Sequence, residues 1–80
     1  MKKEFAILHD LESGHFLVNT TFNHDDDMYE LSIKTWSVKM NGYATLTMSW
    51  EQNKQKDFEE TFSKFKDVDF CIKWVNMINK

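Results

Sequence analysis

The sequence predicts an α+β domain, in which a four-stranded antiparallel β-meander is followed by two C-terminal α-helices packed on one face. Two patterns indicate this fold: residues 5–50 alternate with a period of two, whereas residues 57–79 repeat with a helical period. The length of eighty residues suits a single domain, 1–80. Twelve Phe, Trp and Tyr residues supply enough apolar surface to exclude an intrinsically disordered chain. We expect strands near 3–9, 15–22, 28–40 and 43–51, and helices near 56–66 and 68–79.

The first two strands are predicted to form a hairpin around the four-residue loop 11–14, in which Gly14 can adopt a positive φ without steric cost. Pairing Asp10 with His15 then sets the apolar residues of both strands on one face. The inward side chains would be Phe5, Ile7, His9, Phe16, Val18, Thr20 and Phe22. The same register pairs Leu8 with Leu17 on the opposite face, where they would form an exposed apolar patch or an interface contact.

The third and fourth strands meet at Asn41-Gly42, which is a strong hairpin signal. A two-residue loop would place the apolar residues of the two strands on opposite faces. We therefore expect a three-residue loop, 40–42, with Gly42 in the left-handed conformation, Val38 opposite Ala44 and Trp36 opposite Leu46. Because Tyr29, Leu31 and Ile33 are out of phase with Trp36, this register requires a bulge near residues 34–35. It turns Trp36 and Trp50 inward, and its outward residues are Thr35, Ser37, Lys39, Thr45, Thr47 and Ser49.

The two helices differ in the width of their apolar faces. The first carries a narrow stripe of Phe58, Phe62 and Phe65 and is predicted to lie on a surface. The second can be capped by Asp67 and is apolar around most of its circumference. One sheet covers only one side of such a helix, so we expect a homodimer. Its possible interface residues are Leu8, Leu17, Phe70, Trp74 and Met77.

Composition narrows the classes of function. The net charge is −3, all ten basic residues are Lys, and Arg is absent, so we expect no nucleic-acid partner. A single cysteine, Cys71, indicates a reducing compartment. No apolar run resembles a signal peptide or a membrane span. The sequence therefore predicts a cytoplasmic protein that does not bind membranes.

A search for catalytic and metal-binding patterns gives no candidate. The hairpin register places His15 and His24 at opposite ends of the sheet, and His9 is expected to be a hydrogen-bonded core residue. Cys71 lies on the apolar face of the last helix, and two glycines cannot build a phosphate-binding loop. We therefore expect no enzyme, no metal and no cofactor.

The most distinctive surface segment is the acidic connection between the second and third strands. The charge is unevenly spread, because residues 1–50 contain seven acidic residues and four Lys. We expect Asp25, Asp26 and Asp27 to attract a basic partner, while Met28 and Tyr29 supply apolar contact area. A solvated loop without a binding role is the alternative for this segment.

The predicted function is that of a small acidic, non-catalytic protein-binding module, of the kind found among stoichiometric inhibitors and antagonists of a host or partner protein. A homodimeric structural or small-ligand-binding domain, with an apolar cavity between the sheet and the helices, is the alternative.

Overall fold

The computed structural model describes residues 6–80 and confirms the α+β architecture. Its four strands form one antiparallel sheet in the order β1-β2-β3-β4, followed by a short 3₁₀ turn and two helices. The elements are β1 (Ala6–Leu11), β2 (Gly14–Asn23), β3 (Met28–Ser37), β4 (Gly42–Glu51), the turn Gln52–Lys54, α1 (Gln55–Lys64) and α2 (Val68–Ile78). Both helices pack on one face of the sheet, which we call the inner face. The opposite face is the outer face. No helix of residues 6–80 is long and apolar enough to cross a membrane.

The hairpin of β1 and β2 has the predicted register. Asp10 pairs with His15 and Leu8 pairs with Leu17, although Leu11 also pairs with Gly14, so the loop has only two residues. Gly14 has a φ of +130°, and a Cβ at this position would lie 3.1 Å from Cβ of Trp36. Glycine is therefore required here for both its backbone conformation and its small size. Phe5, predicted to face inward, lies outside the described residues.

The predicted register of β3 and β4 is wrong. Trp36 pairs with Tyr43 rather than Leu46, and Ala44 pairs with Thr35 rather than Val38. The loop contains the four residues 38–41, closed by a hydrogen bond of 3.2 Å from N of Asn41 to O of Val38. The positive φ occurs at Asn41, at +51°, and not at Gly42. Asparagine tolerates this conformation better than most residues with a side chain.

The predicted bulge at residues 34–35 is also wrong, because β3 pairs with both neighbours without interruption. The inner face therefore continues from Ile33 to Thr35 and Ser37, each 1% exposed, and Trp36 lies on the outer face. The prediction assumed that buried positions must be apolar. Ser37 satisfies part of its hydrogen bonding by accepting from N of Met40 at 3.3 Å.

Small residues at this end of the inner face let the last helix approach the sheet. Thr35 and Ser37 lie opposite Ala44 and Gly42. Asn79, which follows α2, accepts a hydrogen bond of 2.6 Å from N of Val38 and donates one of 3.4 Å to O of Trp36. Its amide also donates to O of Val75 at 2.9 Å. The side chain thus satisfies backbone groups of both the helix end and the end of β3.

Phe65 occupies the centre of the core and is fully buried. Its ring lies 6.0 Å from that of Phe16, 5.0 Å from that of Phe70 and 6.0 Å from that of Trp74. The buried core consists of Phe16, Val18, Leu31, Ile33, Phe58, Phe62, Phe65, Cys71 and Val75. The predicted stripe of α1 thus faces the sheet, as its helical spacing requires.

The second helix begins as predicted, with Asp67 accepting a hydrogen bond of 2.9 Å from N of Asp69. Cys71 and Val75 are buried, whereas Phe70 and Trp74 are half-buried against the core. Val68, Ile72 and Met77 are exposed by 43%, 40% and 56%. The core therefore covers one side of this helix, and the homodimer expected to cover the rest of its apolar circumference stays a prediction.

Replacing Asn79 with Ala should lower the free energy of unfolding by about 1–2 kcal/mol, because backbone groups of α2 and of the end of β3 lose hydrogen bonds to its side chain. Asn76→Ala is the matched control, since Asn76 is exposed on the same helix, and should change the stability by less than about 0.5 kcal/mol. Urea unfolding followed by circular dichroism measures both. Equal effects of the two substitutions would contradict this role of Asn79.

Candidate protein-binding face

The three histidines have separate environments. His9 lies on the inner face, and its Nε2 donates a hydrogen bond of 2.7 Å to O of Phe65, as expected of a core histidine. His15 Nδ1 lies 3.3 Å from a carboxylate oxygen of Asp10 at one end of the sheet. His24 lies in the connection at the opposite end, with its ring 5.1 Å from that of Phe22. Among residues 6–80, no three His, Cys, Asp or Glu side chains are grouped so that they could hold a metal ion.

Cys71 is fully buried, and its Sγ donates a hydrogen bond of 3.2 Å to O of Phe65. Burial, together with the negative charge of Asp67, raises the pKa of the thiol from 9.0 to about 11. A nucleophilic cysteine requires the opposite, a lowered pKa and access for substrate. The environment of Cys71 is therefore that of a structural residue, which caps the carbonyl end of α1 together with His9.

The acidic connection 24–27 is exposed and is shaped by its preceding residue, Asn23. The Oδ1 of Asn23 accepts a hydrogen bond of 3.0 Å from N of Asp25, and its Nδ2 donates one of 3.4 Å to Oδ2 of Asp26. Asp27 has a φ of +51° and completes the turn into β3. All three aspartate side chains are exposed to solvent.

Two glutamates that were not among the predicted partner-binding residues extend this acidic region onto the outer face. Met28 pairs with Glu51 of β4, and Glu30 lies two residues further along the same face of β3. We call Asp25, Asp26, Asp27, Glu30 and Glu51, which lie at the same end of the sheet as Met28, the acidic end. In the described part of the chain, no lysine lies within 4.0 Å of these five carboxylates. A shallow groove at this end is lined by Asp26, Asp27, Met28, Glu51, Gln52 and Asn53.

Tyr29, expected to offer contact area beside Met28, points to the inner face instead. Its ring stacks on that of Phe58 at 4.8 Å and meets the edge of Phe22 at 4.9 Å. Met28 and Tyr29 lie on different faces of the sheet because neighbouring side chains of a strand project to opposite faces. Met28 is therefore the apolar residue of this pair that lies among the carboxylates.

The other end of the outer face is apolar. Leu8, 62% exposed, pairs with Leu17, which in turn pairs with Lys34. The ring of Trp36 meets that of Tyr43 edge-on at 5.3 Å. We call these residues, Leu8, Leu17, Lys34, Trp36 and Tyr43, the apolar patch. The loop beyond it exposes Val38 by 71% and Met40 by 67%, which enlarges the apolar surface.

Lys34 fits this patch although it is charged. Its Nζ lies 5.3 Å from the centre of the Tyr43 ring, within the range of a cation–π interaction. Its aliphatic stem can lie along apolar neighbours while the ammonium group stays in water.

Neutral hydroxyl side chains separate the apolar patch from the acidic end. In the middle of the face, Ser32 and Thr47 share a hydrogen bond of 3.1 Å. Trp36 and Met28 are eight positions apart on β3, a separation of about 26 Å. The outer face thus has an apolar half and an acidic half. Of the possible interface residues predicted on α2, Phe70 and Trp74 instead pack against Phe65, while Met77 is exposed.

Comparison with known proteins gives no relative: no family model, no curated protein and no solved structure matches the chain.

The raised pKa of Cys71 predicts a pH-dependent loss of stability. Between pH 9 and about 11 the unfolded chain has released a thiol proton that the folded chain still holds, so the free energy of unfolding falls as the pH rises. The expected signature is a stability difference between wild type and Cys71→Ala that narrows from pH 8 to pH 11, measured by urea unfolding. A difference that stays constant over this interval would contradict burial of the thiol.

Proposed function

We propose that this chain is a non-catalytic protein-binding module that docks a partner on the outer face of its sheet. The observation that carries the proposal is the division of the outer face, which neither helix covers, into an apolar patch and an acidic end. Both helices lie on the inner face, so neither competes for this surface. Exposed groups of large apolar residues are typical of interaction sites, and Trp and Tyr are enriched among residues that dominate binding energy.

The partner we propose is a protein that presents an apolar segment together with a basic region about 25 Å away, matching the spacing between Trp36 and Met28. Charge complementarity favours a basic partner, because the acidic end contains five carboxylates and the whole chain carries a net charge of −3. The apolar patch would supply most of the affinity. The acidic end would orient the partner and accelerate the encounter.

A stoichiometric inhibitor or antagonist is the role that suits such a module, since it requires a docking face and no catalytic residues. We extend the proposal to the cytoplasm, because the chain's single cysteine is a buried thiol. The small-ligand alternative is less favoured by the geometry. The region between sheet and helices is occupied by the rings of Phe16, Phe58, Phe65 and Trp74.

Single-stranded nucleic acid is the competing class of partner. Trp36 and Tyr43 on an open sheet face, with Lys34 beside them, resemble the stacking surfaces that bind unpaired bases. The acidic end on the same face would repel phosphates, and the chain has no Arg. We therefore favour a protein partner, and a thymidine oligonucleotide serves as the opposing probe.

Affinity capture from the native cell extract supplies the partner for the test. Three variants then test the apolar patch, the acidic end and a control site outside the outer face. Trp36→Ala in the apolar patch should raise Kd by about 30-fold or more, mainly through faster dissociation. The triple variant Asp25→Asn, Asp26→Asn, Asp27→Asn should slow association at low salt and leave dissociation nearly unchanged. The double variant Glu59→Gln, Glu60→Gln removes charge from an exposed part of α1 and should bind like wild type.

Surface plasmon resonance at low and at physiological salt measures these rates, and the difference between wild type and the triple variant should shrink as salt rises. Circular dichroism checks that each variant is folded. Wild-type rates for both outer-face variants would contradict the proposal, as would tighter binding of the thymidine oligonucleotide than of any captured protein.

A further inference from the structure

The edge of the sheet at β4 lacks three features that commonly prevent strands from pairing with other chains: central charged residues, proline and bulges. In the sheet formed by residues 6–51, β4 pairs with β3 on one side only, and it is ten residues long. Residues 42–50 include neither a charged residue nor a proline, and the ladder with β3 runs through all ten residues without a bulge. The backbone N–H and C=O groups of every second β4 residue therefore point away from β3, and the side chains next to them are neutral. Natural proteins commonly protect such edges with Lys, Pro, bulges or short strands.

The opposite edge, at β1, is different. Within the described residues β1 has six positions, and one of them is Asp10, which is exposed and charged. An added strand at this edge would have to accommodate that carboxylate and its contact with His15. An added strand is therefore expected at the β4 edge rather than at the β1 edge.

We propose that β4 pairs antiparallel with β4 of a second copy of this chain, about a two-fold axis perpendicular to the sheet. This rotation places the inner faces of both copies on the same side of the combined sheet and both outer faces on the other side. The two four-stranded sheets then form one sheet of eight strands. It is independent of the proposed function, because an edge contact leaves the outer face uncovered.

The neutral edge of β4 can pair with its own copy without bringing like charges together at the centre of the contact. Two molecules that each carry a net charge of −3 repel one another over most contacts. Along the β4 strand itself this repulsion is limited, because its one charged residue is Glu51 at its end. In a pairing centred on the strand, the two Glu51 side chains lie at opposite ends, about 30 Å apart.

Side chains near the centre of β4 also suit a symmetric contact. Leu46 lies on the inner face opposite Ile33, yet it is 41% exposed. A two-fold axis near this residue would bring the two Leu46 side chains together and remove both from water. On the outer face, Thr45 and Thr47 would face threonines of the second copy, a favourable cross-strand combination.

The size of the contact sets the expected strength. A ten-residue strand is about 33 Å long. Pairing two such edges buries on the order of 1,000 Å² in total, near the lower limit for specific interfaces. The dimer should therefore dissociate on dilution, with a Kd in the range of about 1–100 μM.

Thr47→Lys tests the proposal, because it places two lysines close to the two-fold axis. Asn19→Lys is the matched control: it lies in the same cross-strand row and is also exposed on the outer face, but it belongs to β2, which is paired on both sides. Ser49→Lys is a second edge variant whose lysine would lie beside Glu30 within its own sheet. Circular dichroism establishes that all three are folded.

Sedimentation equilibrium between about 1 and 500 μM measures the association. We expect a dimer for wild type and Asn19→Lys, and at least a tenfold higher Kd for Thr47→Lys and Ser49→Lys. Amides of alternate β4 residues should also gain protection from hydrogen exchange as wild-type concentration rises. A monomeric wild type would overturn the proposal, whether or not another protein occupies the edge. Equal dimerisation of the edge variants and the control would overturn it too.

Discussion

The uninterrupted pleat of β3 is the constraint on which the rest of the structure depends. This strand is paired on both sides throughout most of its length, and its alternation decides which side chains meet the helices and which meet water. A shift of one residue would exchange the two faces. Because the alternation never breaks, Thr35 and Ser37 are buried while Trp36 reaches the outer face. The same alternation places Met28 and Glu30 together at the acidic end.

The sizes of the residues on the inner face determine how the two helices pack on it. Large residues at its centre meet Phe65, whose ring contacts both the sheet and α2 and whose carbonyl accepts hydrogen bonds from His9 and Cys71. An unpartnered carbonyl buried at a helix end would be costly, so these two side chains make the turn between the helices compatible with burial. Small residues near the end of β3 leave room for Asn79 to join α2 to the sheet. Because both helices pack on the inner face, no helix of residues 6–80 covers the outer face.

Periodicity was sufficient to predict the order of elements, the register of the first hairpin and the cap at Asp67, because each depends on residues close in sequence. The second hairpin failed for a definite reason. Trp36 and Val38 were expected in the core because they are apolar. The core instead contains Thr35 and Ser37 near the end of α2, where Asn79 makes a long-range contact that no local pattern reveals. The acidic segment was recognisable as a charge run. Only the strand register shows that Glu30 and Glu51 lie on the outer face at the same end of the sheet. The register likewise places Trp36 and Tyr43 on the same face as Leu8 and Leu17.

The direct test of the β3 alternation is a set of nuclear Overhauser contacts from the indole of Trp36 in the labelled protein. The structure predicts contacts between Trp36 and the Tyr43 ring, and contacts between Leu46 and Ile33 on the opposite face. It predicts none between the Trp36 indole and the side chain of Val75, which lies in the core. Contacts from Trp36 to Leu46 and Val75 would show that β3 is bulged and that its tryptophan is buried. They would remove the apolar patch on which the proposed function rests.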